Sequence, residues 1–350
     1  MTDLIYFYIN MSEKVYRIDE RDKEPKEATY RTDYGLRMIY IKYIHKVFSE
    51  ELAFQLDLQW VPAPLYVTKS SGLNDDLNGA SRKLTFKKCD KEMEIVQSLA
   101  KWKRFALKQF NLHGLYTDMN AIRMDEIPDE THGIHVDQWD WEKVIQGCHT
   151  GVPKDEIDAM EAIYYTNSEL TLKQAVSKIY KAIRCADRHL SEILINRPML
   201  THNVNNVYFI TSEELLKKYP TLSPLGRERA IAKEHKVVFI SQIGKRLSNG
   251  TPHGDRAKDY DNWEYNGDLI VWNTCLHDIL ELSSMGIRVD AESLRYQYGD
   301  EPIPDTCYHR MVLNNELPTT IGGGIGQSRL YMWLLQLPHI DMVHPMLDIE

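Results

Sequence analysis

This 350-residue chain is short of cysteine, of long apolar runs and of positive charge, and each shortage excludes something. Its five cysteines, Cys89, Cys148, Cys185, Cys275 and Cys307, are odd in number, far apart and never form a CxxC pair. That pattern excludes a disulfide framework and a zinc knuckle, and it reads as reduced structural thiols. No stretch reaches about 18 apolar residues, and residues 1–30 lack the basic-then-apolar order of a signal peptide, so we expect a cytoplasmic protein without a membrane partner. With a net charge of −9, the chain lacks the clustered cations that a phosphate backbone demands, and no nucleic acid is expected as its main partner. The basic run Lys101-Trp-Lys-Arg104, with Lys87-Lys88 upstream, is the local exception and by itself reads as a solvated face. Internal repeats and a convincing interdomain linker are also missing.

What is present is an ordinary globular composition, 43% hydrophobic and 27% charged, large enough for one big domain or two modest ones. Residues 1–30 are charged and irregular and read as an extension. Ile41, Ile44, Phe48 and Leu52 recur at helical spacing, which predicts a long amphipathic helix over 34–56. A strand-like stretch, 58–67, is broken by Pro62 and Pro64, as suits an edge strand or a subunit contact. Strands are expected at 84–88, 92–97, 114–124 and 133–140, with a helix at 100–110 and a mostly helical stretch over 141–195. Thr211-x-x-Glu214 is a capping-box pattern opening a helix after a short strand at 207–210. Further strands read at 236–243 and 268–272, and a strand or turn at 278–290. Helices come in clusters and strands in runs, so an α+β fold with an antiparallel sheet is favoured over βαβ alternation.

The most informative segment is Ile321-Gly-Gly-Gly-Ile-Gly-Gln-Ser-Arg329. Glycines let a backbone approach a ligand closely, and a helix opening directly after them offers amide donors and a favourable dipole to an anion. Gly322, Gly324 and Gly326 do not spell GxGxxG, no apolar strand leads in, and no Lys-Ser/Thr follows, so neither a dinucleotide fold nor a Walker A loop is expected. Elsewhere, strand alternation puts Gln138 and Asp140 on one face with Trp139 and Trp141 on the other, a pair able to accept hydrogen bonds from an ammonium group. The same alternation places Arg123 and Asp125 together, and an arginine on a rigid strand suits phosphate or carboxylate because its planar fork binds two oxygens.

Taken together these residues resemble a known family. Arg123-Met-Asp-Glu126 resembles the second signature of class II aminoacyl-tRNA synthetases, Gly322–Arg329 their third, and Pro64 the proline of their first, dimer-forming signature. Gln97-Ser98 followed by Lys103, Gln138-Trp-Asp140, and Glu281 ahead of Arg288 resemble the aspartate pocket of the aspartyl and asparaginyl branch. Within that branch Ser98–Arg104, Val136–Glu142, Gly226–Lys233, Asn266–Asn273, Glu281–Asp290 and Thr320–Leu330 resemble, in order and spacing, the ammonia-dependent aspartate–ammonia ligases, over roughly residues 35 to 340. The resemblance implies a class II synthetase-like catalytic domain over residues 31–350, a mostly antiparallel sheet flanked by helices, with no anticodon-binding domain. It implies a homodimer and the substrates L-aspartate, ATP and ammonia.

The resemblance also implies roles. The aspartate β-carboxylate would attack the α-phosphorus of ATP, and ammonia would displace AMP from the β-aspartyl adenylate. Arg123 would bridge the α-phosphate and the incoming carboxylate. Arg256, Ser284, Gly322, Gly324 and Arg329 would line the nucleotide, and Glu281 with Asp268 would hold Mg2+ on the phosphates. Lys103 and Arg288 would grip the aspartate carboxylates with Ser98 as a donor, while Gln138 and Asp140 would hold the α-ammonium. Asp75 and Asp261 resemble the family's acidic residues near the reacting centre, where a carboxylate binds ammonium and takes its proton. Residue 2 is Thr2, not the nucleophilic cysteine of glutamine-dependent synthetases, so free ammonia is the expected nitrogen source. Two alternatives remain at this point: a truncated aspartyl- or asparaginyl-tRNA synthetase, and a non-catalytic synthetase paralogue. Arg123, Glu281 and Arg329, which such paralogues commonly lose, are all in place.

Overall fold

The computed structural model describes residues 31–344 except 32, 76, 78–80, 147–153 and 195–196. The expected extension at 1–30 lies outside the described residues, as do Asn78, Gly79 and Ala80 of the Asn74–Ala80 loop. The chain opens with helix α1 (Tyr34–Leu56), whose first turn is capped by Asp33 accepting from the Leu36 amide at 3.0 Å. The proline-broken stretch after it yields two short strands, β1 (Gln59–Trp60) and β2 (Tyr66–Thr68), which join different sheets. Next come β3 (Thr85–Lys88), β4 (Lys91–Ile95), helix α2 (Ala100–Phe110) and β5 (Gly114–Ile122).

Strand β6 runs over His135–Gln146 and corrects the helical reading of residues 141–146; the long helix α3 covers Lys154–Ile193. Then follow β7 (Tyr208–Thr211), α4 (Ser212–Lys218), α5 (Pro224–His235) and β8 (Val237–Ser241). The expected capping box closes on both sides of Thr211 and Glu214. The long hairpin β9 (Asp261–Asn273) and β10 (Asp278–Arg288) leads to α6 (Ala291–Tyr298) and α7 (Cys307–Leu313). Last come β11 (Thr319–Gly326) and α8 (Gln327–Leu334). The glycine run is therefore itself a strand, and the expected helix opens directly after it.

The main sheet has eight strands in the order β1-β5-β6-β11-β10-β9-β8-β7. Its interior ladders are antiparallel and only the two outermost pairs, β1–β5 and β7–β8, are parallel. A sheet of this kind needs one greasy face, and here α1, α3 and α8 cover it. Ile44, Phe48 and Leu52 from α1, Val176, Ile179 and Ile183 from α3, and Leu330 and Leu334 from α8 pack on Trp139, Trp141, Met285, Ile287, Ile321 and Ile325. The opposite face carries the polar alternates of the same strands, as the period of two dictates. Among the described residues no helix is long and apolar enough to cross a membrane.

Candidate active site

On that polar face lies a cavity of about 580 Å³. Register across the sheet decides which side chains meet there. Asp140 on β6 stands opposite Gly324 on β11, which stands opposite Ser284 on β10, which stands opposite Asp268 on β9. One row further along, Glu142 faces Gly322 and Gly322 faces Gly286. In the other direction Gln138 faces Gly326, close to the start of α8 and Arg329. Glu281 and Arg288 are seven positions apart on β10, an odd spacing that would put them on opposite faces of a regular strand. The ladder slips between Glu281 and Ser283, and this β-bulge turns Glu281 to the same cavity as Ser284 and Arg288.

One end of the cavity is charge-balanced. Lys103 and Asp140 form a fully buried ion pair, and the Lys103 ammonium also donates to the Gly323 carbonyl at 2.7 Å. Burial lowers the Lys103 pKa, and Arg288 adds to that against the pull of Asp140 and Glu142. Arg288 is just as buried. Its Nε and one terminal nitrogen donate to Glu142, the latter at 2.7 Å, and its other terminal nitrogen donates to Asp261. Burial pushes the Asp261 carboxyl up despite Arg288 and Arg256. Each terminal nitrogen of a guanidinium carries a second hydrogen, so Arg288 keeps donor capacity beyond its two carboxylates. The sequence reading assigned this arginine to a substrate carboxylate. The structure commits most of its charge to Glu142 and Asp261.

The other end is cationic. Arg123 lies just past the end of β5 in a turn closed by the Glu126 amide on the Arg123 carbonyl at 3.1 Å, and not on the strand that alternation suggested. Its guanidinium has no carboxylate partner among the described residues, and its Nε is buried without an acceptor. Asp125 shares the cavity wall but is held by Arg82, at 2.6 Å from the Arg82 Nε. Arg329 donates to the carbonyls of Thr131 at 3.2 Å and Glu281 at 3.1 Å, and it too meets no carboxylate among the described residues. Between them Glu281 stays open to the cavity, where crowding by the walls and the Asp268 carboxylate push its carboxyl up against the opposing effect of Arg329 and Arg256. Arg256 spans to the middle, donating to Asp268 and Ser284, each at 2.5 Å.

Of the residues singled out in the sequence, Ser98, Lys103, Arg123, Gln138, Asp140, Arg256, Asp261, Glu281, Ser284, Arg288, Gly324 and Arg329 line this one cavity. Three do not. Asp268 stands behind Arg256 as its counter-ion. Asp75 is buried beside the cavity, within electrostatic reach of Lys101 and of the cavity-lining Tyr260. Gly322 serves the ion cluster and not a ligand: a Cβ there would collide with the Glu142 carboxylate and the Arg288 guanidinium, and one on Gly324 would collide with Gln138. We expect Gly322→Ala to cost about 1–3 kcal/mol through this overpacking. Gly326→Ala, whose Cβ would meet nothing nearer than 3.5 Å, should be nearly neutral. Equal denaturation midpoints for the two variants would overturn the assignment.

Sequence reasoning missed Glu142, fully buried and accepting from both Arg288 and Thr320, and it missed Tyr260. The alternation over Val136–Glu142 already puts Glu142 on the face of Gln138 and Asp140, but nothing local tells a buried, paired carboxylate from one on a wet face. Tyr260 had no periodic signal, since it lies in the irregular segment before β9.

Comparison with known proteins agrees with this geometry. The sequence profile described as aspartate-ammonia ligase matches residues 37–347. An aspartate–ammonia ligase of Lactiplantibacillus plantarum is 43% identical over 339 residues, covering 94% of this chain and 98% of the relative. One from Clostridium tetani is 45% identical, covering 93% of each chain. Among solved structures, asparaginyl-tRNA synthetase from Pyrococcus horikoshii, complexed with asparaginyl-adenylate, superposes with a TM-score of 0.56 at 15% identity, covering 93% of this chain and 73% of that one. The Entamoeba histolytica asparaginyl-tRNA synthetase in complex with asparaginyl-adenylate gives a TM-score of 0.55 at 13% identity, covering 94% and 72%. At such identities these structures establish the class II synthetase-like fold, and the sequence matches establish the rest: the chain is a ligase and belongs to the aspartate–ammonia ligase family.

Proposed function

We propose that the protein makes L-asparagine from L-aspartate and ammonia, driven by ATP, through a β-aspartyl adenylate that leaves AMP and pyrophosphate. The observation that carries the reading is the division of the cavity: two guanidiniums without carboxylate partners, Arg123 and Arg329, stand at one end, and a compensated cluster around Lys103, Asp140 and Arg288 stands at the other. Unspent cations suit a triphosphate, whose attack needs charge neutralised as it develops. A balanced cluster suits an amino acid that brings charges of both signs. In this reading Asp140 and Gln138 receive the α-ammonium, and Lys103, Ser98 and the remaining Arg288 hydrogens receive carboxylate oxygens. Arg123 bridges the α-phosphate and the β-carboxylate, fixing the line of attack.

The donor set also fits magnesium, which favours one or two carboxylates plus phosphate oxygens over an all-protein cage. Among the described residues no cluster of three or more metal-ligating side chains exists, and Glu281 is an open carboxylate of the cavity, within the field of Arg329 and Arg256. Glu281 would hold the ion, with Asp268, here paired to Arg256, as the helper behind it, and bound there the ion would neutralise phosphate charge. The same reading takes the protein as a cytoplasmic homodimer. Phe54 on α1, Trp60 on β1, and Leu65 and Tyr66 at the entry to β2 support the pairing, all exposed, with Phe54 79% accessible; sedimentation equilibrium measures it.

One coupled assay tests the reaction: AMP and asparagine formed from ATP and aspartate, with ammonium or glutamine as nitrogen source. We expect stoichiometric AMP and asparagine with ammonium; aspartate transferred to added tRNA, or no AMP at all, would overturn the reading. Asp75→Ala should spare ATP–pyrophosphate exchange measured without ammonia more than it spares asparagine formation. Equal loss of both would remove Asp75 from the amination step.

A further inference from the structure

Beneath the balanced end of the cavity lies a second ionic cluster that the proposed chemistry leaves unused. Lys101, the second residue of α2, is 2% exposed and donates to Asp259 at 2.6 Å. The other occupant of that Asp259 oxygen is His309 Nε2 at 3.1 Å, and His309 Nδ1 pairs with the Thr306 hydroxyl at 2.7 Å. Thr306 caps α7 and packs so closely on Gly72, a residue with φ +69°, that a Cβ there would collide with its hydroxyl. Gly72 opens the short segment to Asp75, and Asn74 pins that segment by accepting from the Gln97 amide at 2.9 Å and donating to the Ile95 carbonyl at 2.8 Å. The cluster thus ties together three pieces of chain: the Asp75 segment, the start of α2 with Ser98 and Lys103, and the run Arg256–Asp261.

A buried ion pair is costly to make and is weak evidence for stability alone, which leaves its retention to be explained. Burial disfavours the Lys101 ammonium, yet Asp259, with which it pairs, and the nearby Asp75 charge outweigh it and raise its pKa. Burial raises and Lys101 and His309 lower the Asp259 pKa, and the lowering wins. Tyr260, next to Asp259 in sequence, turns into the cavity.

We propose that Lys101 is a positioning residue for the ammonia-consuming half of the reaction: its ion pair with Asp259 fixes His309 and Thr306, and through the packing of Thr306 on Gly72 it sets the position of the Asp75 segment beside the cavity. The inference rests on the adenylate reading above. Lys101 acts through the Asp75 segment and touches neither the nucleotide-side cations nor Glu281.

The test uses Lys101→Met, Lys101→Arg and His309→Gln in the full-length protein. Two quantities are read: aspartate-dependent ATP–pyrophosphate exchange without ammonia, and the KM for ammonium in asparagine formation. In Lys101→Met we expect exchange close to native and a KM for ammonium raised roughly tenfold, the size of effect typical of residues that couple to a site without touching it. Lys101→Arg should recover part of the loss, and His309→Gln, one step further out, should move the same KM by a smaller factor. Where Lys101→Met does not fold, His309→Gln carries the same reading. Parallel loss of exchange and amination, or an unchanged KM for ammonium, overturns the proposal. Absence of exchange in the unaltered protein instead overturns the adenylate reading, so the two failures are distinguishable.

Discussion

Arg123→Ala is expected to lower ATP–pyrophosphate exchange by roughly a thousandfold or more, in the range found for arginines that stabilise phosphoryl transition states. The reason is its electrostatic isolation: no carboxylate among the described residues shares its charge, and its Nε has no acceptor. A guanidinium kept without a partner in a cavity wall is costly unless a ligand completes it. Because the charge develops at the α-phosphorus as the bond forms, the loss should fall on kcat more than on the KM for ATP. Arg123→Lys should recover little, since a point ammonium cannot span two oxygens as the planar fork does. Exchange kinetics at saturating ATP and aspartate measure this, and a loss of less than about tenfold would remove Arg123 from the reacting centre.

Glu142→Ala should be the most destabilising single change at the site, by about 3–5 kcal/mol, the cost of leaving one half of a buried ion pair alone. Glu142 is fully buried, lies 2.7 Å from a terminal nitrogen of Arg288 and also accepts from Thr320 at 2.6 Å. Without it, Arg288 retains only Asp261, whose own carboxyl burial already pushes up. Glu142→Gln should cost less, because an amide oxygen still accepts from the guanidinium. The double variant Glu142→Ala/Arg288→Met should regain much of the stability by removing both charges, while aspartate binding stays lost. Urea denaturation with calorimetric aspartate titration separates these effects. A single Glu142→Ala cost below about 1 kcal/mol would show that the cluster does not depend on this carboxylate.

The helix over 34–56, the helix over 100–110, the capping box at Thr211 and the strands at 207–210 and 236–243 were legible because each announces itself within a few residues. Apolar spacing, a cap or a short β-rich run is enough. Most of the cavity wall was legible for another reason: its residues fall in segments whose wording resembles a family, and the fold brings twelve of those named to one cavity. Where local pattern and tertiary context disagreed, local pattern lost. Residues 141–146 read as helix because helical spacing follows them, yet β6 continues to Gln146, stabilised by pairing with β5 and β11.

The glycine run shows the division most clearly. By itself the sequence determined that a backbone must pass close to something at Gly322–Gly326, that Gln138 and Asp140 share a face, and that the chain is built from elements of the aspartate–ammonia ligase kind. Only the tertiary structure decided that the run is a central strand, and that the close neighbours at Gly322 are Glu142 and Arg288 from the strands on either side. It alone turned Glu281 into the cavity through a bulge. Pairing register is a long-range property, and a slip of one residue reverses every side chain on a strand. No local pattern carries that information, so the ion cluster and the bulge became visible only when four strands, β6, β11, β10 and β9, were laid side by side.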